Sequence, residues 1–193
     1  MSLPKDFEVE QSGPGKYLVS KIKSGDKVKF RMLTDFITGK SVWGDPKQEG
    51  KRVCTRKRIG EKLEVGCIGI NKFSGNPESI KQFIAAIVWN YATEQVEIFE
   101  TDKSTIIEQI FDIEADDDWG DSKGFDLSIS KKGEAMETTY SLLPSNKSVF
   151  KCSEDFKHVN IEALYTGDDP FAKKDVEDGE QDNNEVDVDK IPF

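Results

Sequence analysis

Gln82-Phe83-Ile84-Ala85-Ala86-Ile87-Val88-Trp89-Asn90-Tyr91 is the stretch whose reading decides the fold. At period two it places Phe83, Ala85, Ile87, Trp89 and Tyr91 on one face and Ile84, Ala86 and Val88 on the other. A strand that is apolar on both faces predicts a central position in its sheet. Gln95-Val96-Glu97-Ile98-Phe99 follows across Ala92-Thr93-Glu94 and predicts its hairpin partner. Upstream, Lys27-Val28-Lys29-Phe30-Arg31-Met32-Leu33 alternates charged and apolar residues, so Val28, Phe30 and Met32 face a core while Lys27, Lys29 and Arg31 form a basic face. Gly25-Asp26 is a turn signal before it, and Tyr17-Leu18-Val19 reads as a short strand or an arm.

Downstream, Phe125-Asp126-Leu127-Ser128-Ile129-Ser130 and Glu137-Thr138-Thr139-Tyr140-Ser141-Leu142 flank Lys131-Lys132-Gly133-Glu134 and predict a second strand pair. One helix stands between the pairs, from about Lys103 to Glu114, with Ile106, Ile107, Ile110, Phe111 and Ile113 in its apolar stripe. Thr105 with Glu108 fits a capping box, and Asp102 is the alternative cap. The chain is therefore mainly β. About five strands, one helix and Gly-rich connections describe a small closed or part-closed barrel such as the OB-fold, with other β-rich folds left open by periodicity alone. The expected division is an N-terminal arm over 1–15, the barrel domain over 16–166 and an acidic tail over 167–193.

Charge is distributed unevenly along the chain. The net charge is −10, yet the tail alone carries ten acids against Lys173, Lys174 and Lys190, a net of −7. So charged and core-less a segment cannot offset the entropy of ordering, which predicts a disordered interaction arm. Within the remaining residues, Lys16 to Lys72 holds fifteen Lys and Arg against six acids, a net of +9. Glu94 to Asp126 reverses the sign, with twelve acids against Lys103 and Lys123. Such asymmetry is a prior for a polyanion meeting the basic front, unless the fold intermixes the two segments.

Catalytic signatures are lacking. There is no P-loop, no G-x-S-x-G elbow and no H-E-x-x-H, and the one histidine, His158, has no nucleophile motif around it. Asp116-Asp117-Asp118 reads as a solvated loop rather than a metal site. Cys54, Cys67 and Cys152 lack metal-ligand spacing and fit a reducing compartment. No apolar run reaches the ~20 residues of a membrane helix, and Met1 to Gly15 has no secretory core. The expectation is a cytoplasmic protein that is not an enzyme and has neither cofactor nor metal.

The basic segment is the better lead. Arg52, Arg56, Lys57 and Arg58 cluster just after Lys47 and Lys51, follow the Lys27/Lys29/Arg31 face, and are interleaved with Trp43 and Phe73. Binding single strands without sequence preference needs cations for phosphates and flat side chains for bases, each stacked base contributing about 1–3 kcal/mol. Trp89 and Tyr91, alternating with Ile87, are assigned to the core.

The ending Asp187-Val188-Asp189-Lys190-Ile191-Pro192-Phe193 resembles the Asp-rich, Ile-Pro-Phe-terminated tail of bacterial single-stranded DNA-binding proteins. The stretch from Trp119-Gly120-Asp121-Ser122-Lys123-Gly124 through Phe125 to Ile129, with Lys131-Lys132-Gly133-Glu134 and Thr138 to Pro144, resembles phage-encoded single-stranded DNA-binding proteins. These are distant relatives of the helix-destabilising protein of T-even phages. Lys29-Phe30-Arg31-Met32-Leu33 with Trp43 is similar to that group's first barrel strand.

The resemblance implies an OB-fold that coats single-stranded DNA during replication, recombination or repair, in a host cytoplasm if phage-encoded. Under it Lys27, Lys29, Arg31, Trp43, Lys51, Arg52, Arg56, Lys57, Arg58 and Phe73 would contact DNA. Asp187, Asp189, Ile191, Pro192 and Phe193 would grip replication or recombination proteins, the apolar end entering a basic-rimmed pocket. The zinc ligand set of the T-even type is not matched around Cys54 and Cys67, so no zinc is carried over. Oligomeric state is left open, a homo-oligomer included. The alternative is a protein–protein adaptor or polyanionic DNA mimic acting through the acidic segments.

Overall fold

The computed structural model describes residues 16–44, 53–63, 68–72, 74–147, 149–152 and 156–172. Seven antiparallel strands form one sheet: β1 (Lys27–Met32), β2 (Ile37–Trp43), β3 (Cys54–Arg58), β4 (Lys81–Asn90), β5 (Gln95–Thr101), β6 (Phe125–Lys132) and β7 (Thr139–Lys147). Their order is β3-β2-β4-β1-β6-β7, with β5 on β4. The sheet thus has seven strands rather than five, and among the described residues no pairing closes it.

The predicted central strand is the hub. β4 pairs with β5 from Ile84 to Asn90 on one edge, while on the other its first half takes β2 and its last residues take β1. β1 and β2 therefore lie end to end along one edge. At the break between them the Leu33 N–H donates to the Ile87 carbonyl at 2.9 Å, and the Ile87 N–H donates to the Thr34 hydroxyl at 3.0 Å. The hydroxyl replaces the missing ladder acceptor, as a buried backbone donor requires.

Both faces of β4 are buried, by two different layers. Ile84, Ala86 and Val88 join Phe30, Phe99, Leu127 and Ile129 in one core, covered by α2 (Ser104–Ala115) and by the single turn α1 (Leu18–Lys21). Tyr17-Leu18-Val19 thus enters a buried helical turn rather than a strand, although Tyr17 bridges to Ile98. Phe83, Ala85, Ile87 and Trp89 face a second core with Val159, Leu164, Phe150 and Phe171. That second layer comes from residues 149–152 and 156–172, including α3 (Ala163–Thr166). Burying each large apolar side chain stabilises by about 1.5–3 kcal/mol, so covering the second face is worth several such increments.

Two expected boundaries move. Packing continues past Thr166, because Pro170 is buried, Phe171 packs on the second core and the Asn160 N–H donates to the Pro170 carbonyl at 2.8 Å. In α2, Lys103 is the N-cap and no side chain caps the helix. Thr105 already lies inside it, and Asp102 is held by Lys81 at 3.2 Å, so neither expected cap forms. The stripe narrows to Ile106, Ile107 and Ile110, with Ile113 partly buried and Phe111 left 58% exposed.

Candidate nucleic-acid interface

The predicted basic face of β1 is not an open one. Lys27 is exposed and Lys29 half-buried, but Arg31 is 1% exposed. Register places Arg31 directly across from Asp126 on β6. Arg31 Nη2 lies 2.6 Å from Asp126 Oδ1, and its Nε donates to the same oxygen at 2.7 Å. Nη1 donates to the Lys123 carbonyl at 3.2 Å, and the guanidinium lies 5.5 Å from the Phe150 ring centre. Lys29 Nζ meets Asp126 Oδ2 at 2.7 Å, and the Tyr91 hydroxyl donates to Oδ1 at 2.8 Å.

One carboxylate thus gathers two cations and a phenol. Burial pushes the Asp126 carboxyl up, but hydrogen bonds from Lys29, Tyr91 and Arg31 outweigh it and hold the group below its usual range. Burial, with the Asp126 carboxylate, pushes the Tyr91 hydroxyl up to about 12. A buried pair of this kind is structural; removing either partner leaves the other's buried charge less compensated and is costly.

On β2 and β3, register puts Trp43 opposite Cys54, Ser41 opposite Arg56 and Gly39 opposite Arg58, all on one face. Lys57 lies opposite Lys40 on the other face. Arg58 pairs with Glu162 and lies 5.0 Å from the Tyr165 ring centre, so it ties β3 to α3. Arg56 Nε donates to Glu100 at 2.6 Å; burial lowers its pKa, yet Glu100 brings the net shift upward. Lys40 and Lys57 have no carboxylate within ion-pair distance among the described residues, and like charges directly across a ladder repel. Lys51, Arg52 and Phe73 lie outside the described residues, as do Asp187, Asp189, Ile191, Pro192 and Phe193.

The two ends of the sheet face each other across a cleft of about 540 Å³. Trp43, Cys54 and Arg56 come from the β2–β3 end, Lys131 and Tyr140 from the β6–β7 end, with Val19 and Ile22 of the N-terminal turn also lining it. A sheet whose first and last strands share a cleft is curled, and the cleft is its seam. Trp43 is 41% exposed there. Lys103 Nζ stands 5.4 Å from the centre of the Tyr140 ring, within cation–π range. Lys103, Lys131 and Tyr140 were not legible as site residues: Lys131 and Lys132 read as a turn, and Tyr140 as one position of an alternating strand.

The other reactive groups are placed apart from one another. His158 is exposed, and burial pushes the Cys54 thiol up, away from the reactive thiolate. Asp116, Asp117 and Asp118 are exposed, and the Asp118 N–H donates to the Asp116 carboxylate at 2.8 Å, a local turn contact. Among the described residues no three His, Cys, Asp or Glu side chains stand together as a metal site, and no helix is long and apolar enough to cross a membrane. Comparison of the chain with protein-family models, curated proteins and solved structures finds no match. What the cleft can bind follows from its own chemistry: an exposed indole, a phenol ring, and ammonium groups around them.

Proposed function

We propose that the protein binds and protects single-stranded DNA, largely without regard to sequence, and performs no catalysis. The observation that carries this reading is the exposed indole of Trp43 on the same cleft as Arg56, across from Tyr140 with its Lys103 ammonium. Aromatic faces accept any base, and cations track any backbone, which is the chemistry of sequence-tolerant single-strand binding. On this reading the curled, unclosed sheet is an OB-type barrel left open along one seam. The acidic stretch ending in Ile191-Pro192-Phe193 recruits proteins of replication, recombination or repair to the coated strand.

The test is titration of fluorescently labelled mixed-sequence oligonucleotides. Single strands should bind more tightly than duplex, with log affinity falling by about 0.7 per phosphate contact against log salt. Equal binding to duplex, binding to RNA alone or no binding sinks the proposal. A chain ended after Ala172 should keep its DNA affinity, since that cut spares the packed Phe171.

A further inference from the structure

The cleft does not stop at the residues that frame it. At one end it shares Asp102, Lys103 and Tyr140 with a second hollow of about 650 Å³, which reaches Lys81 and the exposed Phe111 of α2. At the other it shares Ser20, Ile22 and Lys131 with a third, of about 1030 Å³, which reaches Lys21 and Lys23. Three hollows that share walls form one trough along the seam.

We propose that a single DNA strand lies along this seam, its phosphates on Lys103 and Lys131 and its bases against Trp43 and Tyr140, continuing past Phe111 at one end and Lys23 at the other. The inference rests on the single-strand reading above and names the strand's path. Charge selects the occupant. The acids along the middle of the trough are already held, Glu100 by Arg56 at 2.6 Å and Asp102 by Lys81 at 3.2 Å. The ammonium groups of Lys103, Lys131 and Lys23 have no carboxylate within ion-pair distance among the described residues, and Lys131 Nζ donates to the Ile22 carbonyl at 3.3 Å. Glu108 and Glu134 stand only in the outer hollows. Cations without counter-charge beside the exposed Trp43 indole and the half-buried Tyr140 ring fit a polyanion that carries flat bases.

The path also explains why the seam is unclosed. A ladder between the two ends of the sheet would fill the space in which bases stack, and would turn Tyr140 and Trp43 into wall residues. Lys27 on β1 is not among the residues lining the trough, and Arg31 is committed to Asp126, so neither contacts DNA on this path.

The full-length protein is titrated with oligo(dT) over a range of salt, beside a variant carrying Lys103→Gln and Lys131→Gln. Affinity should fall at least about tenfold, and the salt slope should shrink by about 1.4, two contacts at about 0.7 each. Tyr140→Leu should cost about tenfold through lost stacking, whereas Lys27→Gln should stay within about twofold of the parent. Iodouracil-substituted oligo(dT), irradiated on the unaltered protein and mapped by mass spectrometry, should attach at Trp43 or Tyr140, which requires no variant to fold. If the unaltered protein binds no oligonucleotide, the single-strand reading itself fails. If it binds, but the seam variants match the parent or the cross-links map only outside the trough, the seam path is overturned and the binding function stands.

Discussion

Two lysines among the described residues sit over tyrosine rings, and they do different work. Lys29 Nζ lies 4.8 Å from the Tyr91 ring centre, Lys103 Nζ 5.4 Å from that of Tyr140. At the first pair Asp126 takes both the ammonium and the phenol, and brings Arg31 as well. At the second no carboxylate of the described residues enters within ion-pair distance. The same two residue types therefore make a structural knot on one side of β1 and an open edge at the seam. What separates them is counter-charge delivered from elsewhere in the chain, not the cation or the ring.

The comparison breaks most sharply at Arg31. Arg31→Met should leave the buried Asp126 carboxylate with only the half-buried Lys29 and the Tyr91 hydroxyl, and cost up to about 3–5 kcal/mol in urea unfolding; a loss under about 1 kcal/mol would mean that the knot does not hold β1 to β6. Gly39→Ala tests the other side, where β2 carries the seam's indole. A methyl there would lie 2.4 Å from the Lys57 carbonyl oxygen and 2.6 Å from the Phe83 ring, so about 1–3 kcal/mol of overpacking should lower the thermal midpoint. An unchanged midpoint would show that β3 yields freely.

The smallest effect sharpens the contrast between the two phenols. Burial alone pushes the Tyr140 hydroxyl up, whereas Tyr91, with Asp126 added, is pushed to about 12. Folding thus favours the neutral phenol of Tyr91. That contribution is fully present below the ordinary tyrosine value of about 10 and is lost as pH rises through about 12. Alkaline difference spectra should assign the last tyrosinate to Tyr91 and lose it in Tyr91→Phe; a Tyr91 that ionises together with the other three phenols would refute the pairing.

Much of the fold was legible in local pattern. The double-faced alternation of Gln82–Tyr91 placed β4 at the centre, and the short gap before Gln95 gave its hairpin. The C-terminal layer was not legible, because Phe150, Phe156, Val159 and Phe171 follow neither period two nor 3.6, and only the bare second face of β4 calls for them. Arg31 was misread because its partner lies 95 residues away. The same blindness applies to the +9 front segment. Lys21 is met by Glu97, Arg56 by Glu100, Lys81 just beyond that segment by Asp102, and Lys29 with Arg31 by Asp126, so the acidic middle neutralises part of it in space. Trp43 and Arg56 were named from sequence, while Lys103, Lys131 and Tyr140 became site residues only when the curl of the sheet set its ends face to face.

The place of β1 between β4 and β6 has a consequence for the life of the nascent chain. β4–β5 and β6–β7 are hairpins that form locally, soon after each is synthesised, whereas β1 is made first and is the strand that joins them. Until β6 arrives, one edge of β1 has no partner and offers a template for pairing between chains. Lys27 and Lys29 charge that edge through the wait, a gatekeeping role that ends for Lys29 when Asp126 docks.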